Sequence, residues 1–351
     1  MSPRVFTVAL GLLLAATPGF AQDIQSLIDN GHLRRALAAT NALPHNALAA
    51  YYRSQIALNL PDQAADALAD AQTSVSLEPN NADFQCNLAQ SAGARAQNAG
   101  TFERIKLLRI IHAASDKGLQ LDPKNITCLQ LMMNLYQYAP SLLGGDKKKA
   151  IETANHILSI DQVKGNLALA GLADDNKQPA VADAYRVKAA VSSGDTFPAH
   201  VQLGRQYLRA KDFTHAESEA RTALTQRPGN FMPYLLLAQA LGGQDKWAAV
   251  ETTLTDGKKA VPDNLSPFYG VARDLLLQNK ELPRAERYLR EYLAATPELG
   301  QYPLSAAHWR LGLVLEKQNR KPEALRELQE AVREDPKLEA AKKDLDRLSK
   351  G

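Results

Sequence analysis

Seven histidines, two cysteines and 38 carboxylates are the side chains from which catalysis or metal binding would have to be built in this 351-residue sequence. The histidines (His32, His45, His112, His156, His200, His215 and His308) include no His-x-x-x-His pair, so no two would meet on one helix face as zinc ligands. Close carboxylates such as Glu217 and Glu219 read as solvated helix faces, with no nucleophile or base in register to make them an acid–base pair. Gly144-Gly145-Asp146-Lys147 could open a helix as a phosphate cradle, but the full P-loop pattern is absent. A second pair, Gly242-Gly243, precedes Asp245-Lys246 at a corresponding place, which reads as a recurring connector: glycine allows the bend and aspartate caps the next helix. No nucleophile elbow, zinc motif or dinucleotide fingerprint occurs. The residues therefore predict no catalytic group, no metal site and no cofactor.

The elements that would position these residues are announced by a comb of helix breakers. Pro228, Pro262 and Pro297 stand 34 and 35 residues apart, and Pro336 follows after 39. Upstream, Pro79 and Pro123 are 44 apart, and Gln162 and Gly194 fill the same slot at intervals of 39 and 32. A period near 34 is the mark of stacked helix–turn–helix units. Alanine and leucine dominate, only 6% of residues are aromatic, and β-branched sheet material is scarce.

Within Phe197–Pro228, Leu203-Gly204 is followed by Tyr207, then Ala216, Ala220, Ala223 and the closing proline. Small residues let two helices approach, Leu203 and Tyr207 fill the gap, Asp212 caps the second helix and Pro228 ends it. Phe231–Pro262, Ser266–Pro297 and Ser305–Pro336 repeat the scheme, the last through His308, Leu311-Gly312, Leu315, Ala324, Leu328 and Ala331. Residues 298–304 are an insertion expected to bulge as a loop. The pattern resembles the tetratricopeptide repeat, with His200, Tyr234, Tyr269 and His308 in its Trp slot. The resemblance implies an all-α, right-handed α-solenoid of eight repeats after a short leading hairpin at 23–43. Regular repeats are expected over 196–336, irregular ones over 22–195, a break near 192–198 and a capping helix over 337–351.

The same resemblance implies a binding surface on the concave face, lined by first helices. Here those contribute Val201, Arg205, Leu208, Arg209, Leu235, Gln239, Asp274, Leu277, Trp309, Leu313 and Lys317. Apolar positions interleaved with Arg205, Arg209 and Lys317 suit an extended protein segment of acidic character. Chaperone-binding members clamp a terminal carboxylate with Lys, Asn and Arg. The matching slots hold Val201, Arg205, Leu236, Pro267 and Val271, so no such clamp is expected. The strings at 87–100, 138–150 and 165–173 are further similar to a group of exported bacterial tetratricopeptide proteins, which implies architecture and export but no chemistry.

Export is also written in the first 21 residues. Arg4 precedes the apolar run Val5–Ala16, and Gly19 and Ala21 suit a cleavage site, so a leader cut after Ala21 is expected. Gln22, not a lipid-carrying cysteine, stands directly after that point, and the run is short for a bilayer anchor. Cys86 and Cys128 fall in first helices of neighbouring repeats. Spacing alone favours two small buried hydrophobes over a bridge, because it cannot fix sulfur geometry. The net charge is +3 and the basic runs are short, which argues against nucleic acid. The function expected is a non-catalytic periplasmic or secreted scaffold that binds a protein or peptide. A small-ligand-binding partner of a transport system, or an accessory subunit of an envelope enzyme complex, is the alternative.

Overall fold

Alanines at the predicted helix–helix contacts are wholly buried in a computed structural model of the chain: Ala216, Ala220, Ala223, Ala285, Ala324 and Ala331 are each 0% exposed. Residues 18–350 are described, with side chains from residue 23; the expected leader lies almost wholly outside them. The described residues form 19 α-helices and no strand. They pair as hairpins: α1 (Pro18–Asp29) with α2 (Leu33–Asn41), α3 (Ala47–Leu58) with α4 (Ala64–Leu77), and α5 (Ala82–Gln97) with α6 (Thr101–Leu121). Next come α7 (Ile126–Tyr138) with α8 (Lys147–Ile160), α9 (Gln162–Asp175) with α10 (Pro179–Ala190), and α11 (Phe197–Arg209) with α12 (Phe213–Gln226). Then α13 (Phe231–Gly243) pairs with α14 (Trp247–Ala260), α15 (Ser266–Gln278) with α16 (Leu282–Leu293), and α17 (Leu304–Lys317) with α18 (Lys321–Glu334), before the single helix α19 (Glu339–Lys350). The architecture is an α-solenoid closed by a polar-faced helix.

Most hairpins reverse within a few residues through a turn residue in the left-handed conformation. Lys177, Lys211, Asp245 and Asn279 recur every 34 residues with φ between 52° and 59°, and Asp62 and Asn319 do the same elsewhere. Side-chain oxygens of Asn46, Asn81, Asn125, Asp146, Asp161, Asp212 and Asn230 accept from first-turn amides and cap the helices they precede. Asp146 thus caps α8 as expected of a connector. Asp245 does not cap: it supplies the positive φ, while Gly242 and Gly243 end α13, with Gly243 pressed against the Phe213 ring. Glu217 and Glu219 also differ from expectation, being largely buried and paired rather than solvated. Glu217 accepts from Lys246 Nζ and Gln244 Nε2, each at 2.9 Å, and Glu219 meets His200 Nδ1 at 2.6 Å.

Two hairpins depart from the scheme. The α5–α6 pair turns through Asn98–Gly100 and carries the longest helix, and the α7–α8 pair inserts a single 3₁₀ turn, Ser141–Leu143. Between them Cys86 and Cys128 are disulfide-bonded, with Cα atoms 5.0 Å apart. This corrects the expectation of two free thiols, and Gly118 of α6 makes room for it: a Cβ there would lie 2.4 Å from Cys128 Sγ. Packing continues across the expected break, where Val163, Ala189 and Ala199 share one cluster.

The stack also bends back on itself. The α1–α2 hairpin meets the loops that precede α13, α15 and α17. Asn230 donates to the Asp29 carbonyl, His32 Nδ1 lies 2.9 Å from Asp263 Oδ2, and the Arg34 amide donates to Glu298 Oε1 at 2.9 Å. Leu299 packs on the apolar cluster of Ile24, Ile28 and Leu33. The insertion forms a loop over 294–303, and that loop is a docking strap, with Glu298 only 3% exposed.

Candidate functional site

Successive first helices α11, α13 and α15 lie side by side, so residues on one face of each converge. There they line an open groove of about 370 Å³, walled on one side by Gln301 and Tyr302 of the strap. Of the residues expected on the binding face, Arg205, Leu208, Arg209, Leu235, Gln239 and Asp274 are brought together in it. Val201 is not presented but buried in the core, and Leu277 is 73% exposed outside the groove. Trp309 and Leu313 pack toward the end of the stack, where the indole Nε1 donates to Asp344 of α19 at 2.9 Å. Lys317 is exposed in the last turn of α17.

The groove's polar groups divide into an internally satisfied set and a free set. Asp274 accepts from Gln239 Nε2 at 2.6 Å and from Arg273 at 3.1 Å. Burial works against the charge of Arg273, but Asp274 beside it raises the guanidinium pKa. Arg205 reaches only Met232 Sδ, at 3.2 Å, and Arg209 has no ion-pair partner among the described residues. Two exposed guanidiniums thus face a floor of Leu208, Met232, Leu235 and Phe231. The far wall is stiffened by aromatics: Tyr302 stacks on Tyr269 at 4.0 Å, and Arg310 Nε donates to the Tyr269 hydroxyl at 2.6 Å. Such an arrangement can bind acidic and apolar groups together; it holds no nucleophile–base pair.

Sequence reasoning missed Phe231, Met232, Arg273, Gln301 and Tyr302. Arg273 adjoins an expected residue and was accessible to a wider helix-face window. Gln301 and Tyr302 belong to no helix, so no periodicity could have placed them. The two Trp-slot histidines pack as expected and are also paired: His308 Nδ1 lies 2.7 Å from Glu327 Oε2, the counterpart of His200 and Glu219. Each pair joins the first helix of a hairpin to its second.

Residues 305–338 match the family described as Tetratricopeptide repeat. No curated protein matches the sequence. Among solved structures, a tetratricopeptide repeat protein from Parabacteroides merdae is similar at 15% identity and a TM-score of 0.44, over 75% of this chain and 99% of that one. A thermophilic TPR protein of Thermus thermophilus is similar at 18% identity and a TM-score of 0.45, over 52% of this chain and 95% of its own. The human IFIT1 dimer with m7Gppp-AAAA is similar at 12% identity and a TM-score of 0.45, over 91% of this chain and 81% of that one. The matched repeat suggests a protein-interaction scaffold. It coincides with α17 and α18, and hairpins before it share its alanine contacts and left-handed turns, so the chain carries a tetratricopeptide repeat at 305–338 within a stack of similar hairpins.

Proposed function

We propose that the chain is an exported, non-catalytic scaffold that binds an extended, acidic protein segment along the α11–α13–α15 groove. The observation that carries this is the pair of exposed guanidiniums, Arg205 and Arg209, with no carboxylate partner among the described residues, over an apolar floor. An aspartate or glutamate on a bound strand would meet Arg205 or Arg209, and a neighbouring apolar side chain would cover Leu208 and Leu235. The open shape favours a peptide over an enclosed small ligand. Export is supported by the apolar run behind Arg4 and by the Cys86–Cys128 disulfide, since such bonds persist in oxidising compartments. Among the described residues no helix is long and apolar enough to cross a membrane.

Fluorescence anisotropy with a labelled peptide alternating Glu and Leu tests the groove. Arg205→Ala with Arg209→Ala should weaken binding by roughly tenfold or more, and a Gln-for-Glu peptide should bind poorly. Unchanged affinity in the double variant removes the groove from consideration. A short single-stranded RNA that outcompetes the peptide would turn the reading toward nucleic acid. Protein export is tested separately by fractionating cells that produce the full chain: retention of the intact leader in the cytoplasm would overturn that part.

A further inference from the structure

The seam where the solenoid closes holds a cluster that neither the groove nor the repeat scheme uses. His32 precedes α2, Asp263 lies between α14 and α15, and Glu298 sits in the strap before α17. Each brings one donor atom to within 4.8 Å of the other two. His32 and Glu298 are 7% and 3% exposed.

Hydrogen bonding sets the chemistry. His32 Nε2 lies 2.9 Å from the Gly229 carbonyl, an acceptor only, so Nε2 carries a proton and donates. In the neutral ring Nδ1 then presents a lone pair, yet it faces Asp263 Oδ2 and Oδ1 at 2.9 and 3.1 Å. A lone pair against a carboxylate requires a positive charge, supplied either by a proton or by a cation. Glu298 decides between them. Its Oε1 accepts from the amides of Arg34 and Leu299 at 2.9 and 2.7 Å, while Oε2 is buried with no hydrogen-bond partner. A proton on His32 would satisfy Asp263 and leave that oxygen unpartnered. Arg35 Nη1, 3.9 Å from Asp263 Oδ2, offsets part of the Asp263 charge but does not reach Glu298 Oε2; one divalent ion would serve both carboxylates.

We propose that His32, Asp263 and Glu298 bind a divalent transition-metal ion of the zinc type, which fastens the N-terminal hairpin to the C-terminal repeats. An imidazole whose second nitrogen donates to a backbone carbonyl is the usual orientation of a metal-bound histidine. Zinc takes nitrogen and carboxylate oxygen at about 2.0–2.2 Å, so Glu298 would close on the ion while the His32–Asp263 pair, now 2.9 Å apart, would open slightly to admit it. The ligands lie 231 and 266 positions from His32 in sequence, which is why local spacing predicts no metal site. The strap that would hold the ion through Glu298 also supplies Gln301 and Tyr302 to the groove, so the ion would fix one of its walls.

The test is calorimetric titration of chelator-stripped protein, disulfide intact, with Zn2+ and separately Mn2+. One Zn2+ should bind per chain, and hydrogen exchange over 24–60 should slow. Glu298→Gln and His32→Gln should each weaken binding by more than about tenfold, with folding checked by circular dichroism. Asp263→Asn, at a more accessible ligand, is a third route to the same loss. His308→Gln should leave binding unchanged, because the partly exposed His308–Glu330–Glu334 group is the other candidate cluster among the described residues. Absence of saturable one-to-one binding in the unmodified protein overturns the proposal, as does binding that survives both Glu298→Gln and His32→Gln or disappears with His308→Gln.

Discussion

His308 carries its function in the stack through a charge shared with Glu327. Burial works against the protonated ring, but the hydrogen bond to Glu327 and the nearby Glu334 and Glu330 outweigh it and raise the imidazole pKa. A group whose pKa is higher folded than unfolded adds stability below its unfolded value, about 6.5, and that stability fades as pH rises through the folded value. Thermal unfolding of the protein and of Glu327→Gln should therefore differ more near pH 5.5 than near about pH 9. Arg290, 3.9 Å from Glu327, keeps that carboxylate partnered at both ends of the range. An equal or larger difference at alkaline pH would show that the pair stabilises by shape alone. Glu217 follows the opposite sign: burial opposes its charge, yet hydrogen bonds from Lys246, Arg221 and Gln244 hold its pKa at about 2. Its contribution is present above the ordinary carboxylate range and vanishes only as pH falls through about 2.

At the scale of the element, the hairpins that break the 34-residue period are those that carry a covalent link. The disulfide joins α5 to α7 across 42 residues, and helix α6 lies against it through Gly118. Replacing both cysteines by serine should lower local stability by about 2–4 kcal/mol, read by hydrogen exchange in α5–α8, with α13–α18 unaffected because repeats feel chiefly their neighbours. Gly118→Ala should produce a comparable loss only in the oxidised protein, since the added methyl meets the sulfurs. Loss of equal size in the reduced protein would place the effect in the helix pair instead. Periodicity made most of these elements legible: the alanine ladder and closing prolines mark both helices of each regular hairpin. The disulfide was not legible, because its geometry depends on the offset between α5 and α7 that the irregular turns create. The groove was half legible for the same reason. Arg205, Arg209, Leu235 and Asp274 follow helix periodicity, whereas Tyr302 reaches the groove from an insertion without a period.

For the molecule as a whole, the decisive contact is one that no repeat template contains. A solenoid of nearest-neighbour contacts can flex along its length like a spring, but here the first hairpin touches three later loops and turns the spring into a closed coil. Gly300 is the tightest point of that seam. It adopts φ of 72°, and a Cβ there would stand 2.7 Å from the Asn59 carbonyl. A side chain at this position meets backbone on one side and an unfavourable conformation on the other, costing roughly 1–3 kcal/mol, and the strap can relieve both by lifting away. Gly300→Val should therefore open the coil: small-angle scattering should give a larger radius of gyration, and amides over 24–60 should exchange faster. The core of α13–α18 lies on the other side of the strap, so its exchange should stay as it was. Because Gln301 and Tyr302 would lift with the strap, affinity for the acidic peptide should fall although neither Arg205 nor Arg209 has changed. An unaltered radius with weakened peptide binding would assign the strap a local role in the groove, and an enlarged radius with full binding would separate closure from recognition.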